Sequence, residues 1–389
     1  MMTTDRKIGQ VTLYHYNYGS ALQCFATQQL VRESGFSCVL LRRSEGNTLL
    51  RRAFYLLNAA AKMAAHPTHA GEFYGMMQAR RRSALAGMME EDIAGIQQFL
   101  QQEICSVSLS YRQMLRAAQS GEYSAFLSGS DQVWNGSWFL QDAVLFLKFA
   151  PIEKRIAWAP SFGTDRVAPY NRRRFARDIG EFRYLSVREM SGVHIIRQLT
   201  GRNAVQITDP VLQLTAHHWR ELYRLRHTDS LAGPYVFSYF LNEPNDDALR
   251  CLDACLSNGL TVLAFSSSYE CLKTRPGIVF MGGSPWNYLA LLDSAQEVLS
   301  DSFHALAFAL LFHKEVRIFR RNYMHASDQS ERILSLLERM RLSDHFIQRG
   351  GETGPALSPI DFDFVDEVLR RDRAAGSAFL REALEGCCK

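Results

Sequence analysis

Long apolar runs are missing from this 389-residue sequence, and so is a strong net charge. The apolar run at 305–312 is much shorter than the roughly 20 residues that a membrane-spanning helix needs. The net charge of +4 gives no nucleic-acid footprint. The first residues lead into a predicted strand without the apolar stretch of a signal peptide. We therefore expect a cytoplasmic protein without a nucleic-acid partner, and leave open a peripheral contact with the cytoplasmic membrane.

Closely spaced metal ligands are also scarce. The eight cysteines form no CxxC pair and have no His-rich segment beside them, which argues against zinc and fits reduced thiols in the cytosol. Asp361-Phe362-Asp363 resembles a metal-binding DxD motif, but we interpret it as charge at a helix start. His217 and His218 are adjacent, so on a helix their side chains point apart. We predict no metal and no cofactor.

Neither a GxGxxG nor a P-loop pattern is present, yet the chain begins as an α/β protein. Its length suggests two domains. Apolar runs at 7–14 and 37–41 flank a segment of helical periodicity at 21–34. Strand, helix and strand in this order predict a βαβ unit and a parallel sheet.

The same alternation continues along most of the chain. We predict two Rossmann-like domains that face each other across a cleft, a glycosyltransferase-B-like architecture. The N-terminal domain spans 1–225 and carries a mostly helical insertion at about 49–118, whose first helix either packs normally or lies on a membrane surface. The C-terminal domain spans 226–330 and begins with a linker at 226–234. The last segment, 331–389, is predicted to be helical and to pack back on both domains, with helices at roughly 329–345 and 362–384. Further strands are predicted at 124–127, 155–159, 184–187, 205–207, 235–240, 261–265, 278–280, 297–299 and 316–319.

Polar residues follow several of these strands, where open α/β sheets bind ligands. After the strand at 297–299, either Asp301 or Ser302 can cap a helix whose first turn contains His304. Free N–H groups and the helix dipole favour an anion there, and a histidine can hold that anion or pass a proton. The alternative is a helix cap with a structural histidine.

A second candidate is Arg188, which follows the strand at 184–187. A guanidinium binds a carboxylate or phosphate through two parallel hydrogen bonds. The alternative is a surface ion pair between Arg188 and Glu189. Asn17, Gly19 and Gln23, at the start of the first helix, are further candidates for binding the second substrate, because Asn17 and Gln23 can reach into the same cleft.

The loop at 128–135 supplies candidates for contacts with a sugar. Ser130 permits a tight turn, Asp131 and Gln132 can hydrogen-bond to sugar hydroxyls, and Trp134 can stack on a pyranose ring. Ser161, in the loop after the next strand, is expected to join these sugar contacts. The alternative is a local turn around a packed tryptophan.

Six short motifs occur in one order: NYGSALQ, FLSGSDQVWN, RIAWAPSFG, LSVRE, TDPVLQL and SDSFHALAFALLF. Together they resemble the polysaccharide pyruvyl transferase family over roughly residues 7–345. The resemblance implies a glycosyltransferase-B-like fold. It also implies transfer of a pyruvyl group from phosphoenolpyruvate to two hydroxyls of a sugar in a bacterial capsule, exopolysaccharide or lipid-linked precursor. The product would be a pyruvate ketal, with release of phosphate.

The resemblance also assigns roles to the candidates. His304 and Arg188 fall at positions that bind and activate phosphoenolpyruvate, and we expect Asp131 to act as a base for a sugar hydroxyl. Two other functions stay open. One is a glycosyltransferase that uses a nucleotide sugar, and the other is an inactive relative that binds glycan or phosphate.

The chain departs from the family pattern beside the histidine. Many relatives have an arginine where this chain has Ser302 and a glycine where it has Ala305. One cation for the donor is therefore unassigned. We expect Ser302 to contact phosphoenolpyruvate and Arg320 to replace the cation, with Arg317 and Arg321 as alternatives, unless the phosphate pocket differs.

Overall fold

The computed structural model describes residues 6–14, 17–44, 49–69, 71, 87–139, 141–226, 231–321, 328–348 and 357–387. The first sheet in this part of the chain is parallel, with seven strands in the order β3-β2-β1-β4-β5-β6-β7. Its strands are β1 (Lys7–Val11), β2 (Ser37–Arg43), β3 (Ser106–Leu109), β4 (Tyr123–Ser128), β5 (Arg155–Ala157), β6 (Tyr184–Val187) and β7 (Val205–Gln206).

The second sheet is also parallel, with six strands in the order β10-β9-β8-β11-β12-β13 across the described residues. These are β8 (Tyr235–Tyr239), β9 (Thr261–Phe265), β10 (Ile278–Met281), β11 (Glu297–Ser300), β12 (Glu315–Phe319) and β13 (Phe346–Ile347). In each sheet the strand order reverses beside the first strand, as in a doubly wound fold. The predicted pair of Rossmann-like domains, and with it the glycosyltransferase-B-like architecture, is confirmed.

Helices connect the strands. In the first domain they are α1 (Tyr18–Glu33), α2 (Leu49–Ala65), α3 (Glu90–Gln102), α4 (Tyr111–Gln119), α5 (Pro169–Gly180), α6 (Met190–Thr200), α7 (Pro210–Gln213) and α8 (Ala216–Arg224). The later part of the chain adds α9 (Asp246–Ser257), α10 (Glu270–Lys273), α11 (Pro285–Ser294), α12 (Phe303–Leu311), α13 (Glu331–Arg339) and α14 (Phe362–Cys387).

The strands are apolar because helices or loops cover both faces of each sheet. In β4, Ala125 and Leu127 pack into one core, whereas Phe126 packs into another on the opposite face. In β8, Val236 and Phe237 divide between two cores in the same way. Such strands read as continuous apolar runs, which is why their positions could be predicted.

Two predicted segments differ from the structure. The insertion contains β3, which pairs with β2 from Leu40–Ser106 to Arg43–Leu109, although we predicted mostly helix there; residues 72–86 lie outside the described residues. The helix predicted at 329–345 ends at Arg339, and β13 then joins the second sheet, beyond residue 330. Both strands are short edge strands, so their sequences carry little periodicity.

Helix α2 is the segment for which a membrane-surface role was considered. Lys62 holds it on the domain by donating hydrogen bonds to the Phe139 carbonyl oxygen at 2.6 Å and to Asn171 Oδ1 at 2.7 Å. Leu56 and Leu57 are 61% and 69% exposed. Across the described ranges, the structure contains no helix with the length and apolar character to cross a membrane.

The C-terminal helix α14 lies across both domains. Its Phe379 ring stacks on Trp158 of the first domain with 6.3 Å between centroids. Asp366 pairs at 3.1 Å with His313, which follows α12 in the second domain. The helix therefore restrains the relative position of the domains.

The carboxyl ends of both sheets meet at the domain boundary, and Tyr18 is a main contact there. The Tyr18 hydroxyl lies 2.8 Å from Asp92 Oδ1 and 2.9 Å from the Gly283 carbonyl oxygen of the second domain. Its ring stacks on Tyr288, with centroids 5.2 Å apart. The backbone N–H of Gly283 also donates to Asp92 Oδ1. This network joins the two sheets beside the site described below.

We expect Tyr18→Phe to lower the free energy of unfolding by about 1–3 kcal/mol, because it leaves a buried carboxylate oxygen without this donor. Tyr235→Phe is the matched control, since the Tyr235 hydroxyl donates to the Leu291 carbonyl oxygen within the second domain. Urea unfolding of both variants, followed by circular dichroism and domain-specific fluorescence, measures the effect. Only in Tyr18→Phe should the two domains unfold at different urea concentrations. Wild-type stability in that variant would contradict the role of Tyr18 in joining the domains.

Candidate active site

The loop after β11 positions the first candidate residue. Ser302, rather than Asp301, caps α12, because its Oγ accepts a hydrogen bond from the Ala305 N–H. Asp301 instead accepts from the Leu241 N–H at 2.8 Å. His304 lies in the first helical turn, as predicted from the pattern, and is only 4% exposed.

The His304 imidazole crosses the domain boundary and packs directly on Gly19 at the start of α1. A Cβ atom at Gly19 would overlap the imidazole ring, so only glycine permits this approach. On its other side, His304 Nε2 is 3.7 Å from Asp209 Oδ2. The Asp209 carboxylate also caps α7, because its Oδ1 accepts from the Val211 N–H at 3.0 Å.

Arg188 approaches the same carboxylate from the end of β6. Its Nη2 forms an ion pair with Asp209 Oδ2 and lies 2.5 Å from Ser130 Oγ. Arg188 is 5% exposed and Glu189 is 1% exposed, so the interpretation as a surface ion pair is wrong. The structure thus brings His304 and Arg188, from opposite domains, to one oxygen of Asp209.

A second arginine reaches this cluster from α13. The Arg332 and Arg188 guanidinium carbons lie 5.5 Å and 4.8 Å from the centre of the Phe303 ring. Arg332 Nη1 donates to Asp131 Oδ1 at 2.9 Å. An aromatic ring attracts a cation electrostatically, so Phe303 helps to hold both arginines in place.

Asp131 follows β4, and side chains from two helices, α1 and α13, donate to its carboxylate. Its φ of 58° is left-handed, and its Oδ2 accepts from the Ser20 hydroxyl at 2.7 Å. Burial opposes its ionisation, but Arg332, His304 and Arg188 outweigh burial and hold the pKa of Asp131 below its usual value. Both oxygens therefore carry charge and both have donors.

The same two opposing effects, burial and nearby positive charge, act on the pKa of Asp209. Burial alone would raise its pKa, but Arg188 and His304 more than offset the effect and hold the pKa of Asp209 below its usual range. Asp209 is therefore an ionised carboxylate that is paired from both domains.

Glu189 is the exception among the buried carboxyl groups. Its Oε1 accepts a hydrogen bond from the Ser161 hydroxyl, while its Oε2 is buried without a hydrogen-bond partner among the described residues. Burial raises the pKa of Glu189, which favours the protonated acid. Glu189 also lines a narrow pocket together with Arg188, Thr208, Phe303, Arg332 and Arg339.

The amide side chains predicted to bind the acceptor are used inside the protein. Gln23 is fully buried; its Nε2 donates to the Leu13 carbonyl oxygen at 2.6 Å, and its Oε1 accepts from the Ser130 N–H at 3.2 Å. Asn17 caps α1 by accepting from the Gly19 N–H at 2.8 Å. These contacts shape the loops around the cleft. The burial of Gln23 corrects the expectation that it reaches into the cleft, whereas Asn17 is half-buried and uses its Oδ1 as the helix cap.

The tryptophan prediction also needs correction. Trp134 is fully buried, with its ring stacked on Phe146 and edge-on to Phe182, so it has no exposed face for a sugar. Gln132 is buried too, and its Oε1 accepts from Asn135 at 2.6 Å. Ser161 is fully buried against Glu189 rather than open to the cleft. The loop is a packed support for Ser130 and Asp131.

The predicted replacement for the missing cation lies elsewhere. Arg317, Arg320 and Arg321 form ion pairs with Glu297, Asp328 and Asp301, respectively. Arg320 is exposed on the surface in this pair, which corrects its assignment to the donor site. Arg332 is the arginine that joins Arg188 instead. No local motif could have identified it, because α13 is brought to the site only by the packing of the domains.

The described residues contain no group of three or more His, Cys, Asp or Glu side chains placed to hold a metal ion. His217 and His218 pair with Glu221 and Glu33. Asp361 accepts a hydrogen bond from the Phe364 N–H, consistent with charge at a helix start.

A family model described as polysaccharide pyruvyl transferase matches residues 17–323. The matched segment is most of the chain and contains β2 to β12 with the His304, Arg188 and Asp209 cluster. The chain belongs to the polysaccharide pyruvyl transferase family.

No curated protein matches the chain. Similar solved structures include an O-GlcNAc transferase variant from Thermobaculum terrenum, with 13% identity, 98% of this chain and 68% of that chain covered, and a TM-score of 0.46. A UDP-GlcNAc 2-epimerase from Methanocaldococcus jannaschii is 8% identical in sequence, with 94% of this chain and 98% of that chain covered and a TM-score of 0.46. A glycosyltransferase from Rickettsia africae is 8% identical, with 99% of this chain and 96% of that chain covered and a TM-score of 0.45. These likenesses are too low to support an assignment of activity.

We expect Gly19→Ala to lower pyruvyl-transfer activity by about 100-fold, because the added methyl group displaces the His304 imidazole. Gly180→Ala is the control, since a Cβ at that helical position meets nothing within 4 Å. The measurements are initial transfer rates and the NMR chemical shifts of the His304 ring. A Gly19→Ala enzyme with wild-type rates would show that the close packing has no functional consequence.

Proposed function

We propose that this enzyme transfers a pyruvyl group from phosphoenolpyruvate to two hydroxyls of a sugar in a cell-surface polysaccharide or its lipid-linked precursor, forms a pyruvate ketal and releases phosphate. Family membership supports pyruvyl transfer. The observation that carries the choice of donor is the convergence of His304 and Arg188, from opposite domains, on Asp209 Oδ2.

The charges of the site suit this donor. Phosphoenolpyruvate carries a carboxylate and a phosphate on adjacent carbon positions, so it needs more than one cationic group. Arg188 has buried Nε and Nη1 groups without hydrogen-bond partners among the described residues, and these can donate to a carboxylate. His304 is close enough to the same region to contact the phosphate or transfer a proton.

The reaction can be written with these groups. A proton from His304 adds to C3 of the enol, which makes C2 electrophilic, while Arg188 holds the carboxylate. A sugar hydroxyl forms a bond to C2 and loses its proton. The C2–O bond to phosphate then breaks, phosphate takes the electron pair, and the second hydroxyl closes the ketal at C2 with loss of its proton. Of the two protons lost by the hydroxyls, one returns to His304 to replace the proton that was added to C3. The other is carried away by the released phosphate.

The sugar hydroxyl also needs a base that takes its proton. Asp131 was the expected base, but Ser20 and Arg332 already donate to its two oxygens and weaken its affinity for a proton. Glu189 is the alternative proton carrier, because one of its oxygens has no partner among the described residues and burial raises its pKa. Carboxyl groups with raised pKa values suit proton transfer near neutral pH.

The acceptor and its setting are part of the same proposal. A lipid-linked sugar would be presented at the cytoplasmic face of the membrane. The exposed Leu56 and Leu57 of α2 are suited to a peripheral contact with that surface. The enzyme is then cytoplasmic, needs no cofactor and meets its acceptor at the membrane.

A nucleotide-sugar-dependent glycosyltransferase of the same fold is the other enzyme class considered. It would release a nucleoside diphosphate, whereas pyruvyl transfer releases inorganic phosphate. An inactive relative would bind phosphoenolpyruvate and release neither. Product analysis with both donors and a panel of lipid-linked sugars therefore separates the three functions.

We expect His304→Ala to lower phosphate release from phosphoenolpyruvate by about 10²–10⁴-fold, because general acid catalysis is lost. His313→Ala is the matched control, since His313 is exposed and pairs with Asp366 away from the cluster. Phosphate release and the pyruvate mass gain of the acceptor are measured together. Near-wild-type ketal formation by a folded His304→Ala enzyme would falsify the proposed role.

A further inference from the structure

The pocket beside Glu189 is built by groups from both domains. Arg188 and Glu189 come from the end of β6, whereas Phe303 begins α12 and Arg332 lies in the first turn of α13. Residues from β6 and α13 meet only because the domains are closed over each other. The pocket is therefore a product of the domain arrangement and not of either domain alone.

The chemistry of this pocket is unusual for a protein interior. Arg188 and Arg332 are 5% and 8% exposed, and both lie over the Phe303 ring. Arg188 keeps two buried nitrogens, Nε and Nη1, without hydrogen-bond partners among the described residues. Buried donors without acceptors are costly, and a ligand that supplies acceptor oxygens removes that cost.

The charges around the pocket also favour an anion. Arg188 and Arg332 form ion pairs with Asp209 and Asp131, which lie outside the pocket lining. Arg339 at the pocket pairs with Asp372. Glu189 also lines the pocket, and burial raises its pKa, which disfavours the charged form that would oppose an anion.

We propose that this pocket is the oxyanion subsite of the donor, with Arg332 as its second guanidinium beside Arg188. The subsite takes the carboxylate or the phosphate of phosphoenolpyruvate, and it rests on the proposed function. Arg332 lies beyond residue 323, where the match to the family model ends. The helix α13 thus completes a donor site whose other residues lie within the matched segment.

The competing explanation is that Arg332 only joins the domains through Asp131. Two variants of the full-length enzyme separate these roles. Arg332→Gln removes the guanidinium, whereas Asp131→Asn removes its carboxylate partner and leaves the guanidinium in place. If Arg332 binds the anion, Arg332→Gln weakens anion binding and Asp131→Asn does not. If Arg332 only links the domains, both variants weaken anion binding to the same extent.

The experiment is calorimetric titration with phosphoenolpyruvate, and separately with inorganic phosphate and with pyruvate, in the absence of acceptor. Arg332→Gln should weaken phosphoenolpyruvate binding about 10- to 100-fold, the loss expected for one charge-assisted hydrogen bond. Asp131→Asn should bind at least as tightly as the wild type. Arg332→Lys should recover part of the affinity, and Arg371→Gln, on the exposed face of α14, should have no effect.

The titrations with phosphate and pyruvate identify which group of the donor occupies the pocket. Equal weakening in Arg332→Gln and Asp131→Asn overturns the proposal, as does wild-type affinity in a folded Arg332→Gln enzyme. If the wild type binds inorganic phosphate but not phosphoenolpyruvate, the proposed donor is wrong. A loss of phosphate binding in Arg332→Gln then still supports the subsite. If the wild type binds none of the three anions, the subsite does not exist.

Discussion

The buried carboxylate of Asp209 is the group on which the arrangement of the site depends. An ionised carboxylate inside a protein is costly unless charged donors pair with it. Here Arg188 pairs with it from the first domain, and His304 approaches it from the second. Because Asp209 also caps α7, its position is set by the backbone as well. The negative charge of Asp209 thus holds Arg188 and His304 close to each other.

A second carboxylate extends this balance across the domain boundary. Asp131 joins Ser20 of α1 to Arg332 of α13, and Phe303 lies under both arginines. The result is a cluster in which each arginine has one anionic partner and still faces a pocket. Such a site can accept a small anion without leaving an uncompensated charge when the anion departs.

The sequence was most informative where burial is uniform. Strands such as β8 and β9 are covered on both faces, so their apolar runs predict both position and type. The rule that ligands bind at the carboxyl ends of parallel strands also placed His304 and Arg188 on facing edges. The edge strand β3 and the use of Trp134 were missed. A short edge strand has little pattern, and an aromatic residue in a polar loop looks the same whether it packs inward or binds a sugar.

By itself, the sequence determined the two doubly wound sheets, the place of His304 in the first turn of α12, and the family. These depend on local periodicity, on capping chemistry and on motifs that lie within short segments. Only the tertiary structure decided that Arg332 joins the site, that Arg320 does not, and that Gln23 is used within a loop. Those outcomes depend on which distant side chains meet where the two domains pack together. A local sequence pattern indicates that a side chain is buried, but it does not indicate which residue that side chain contacts.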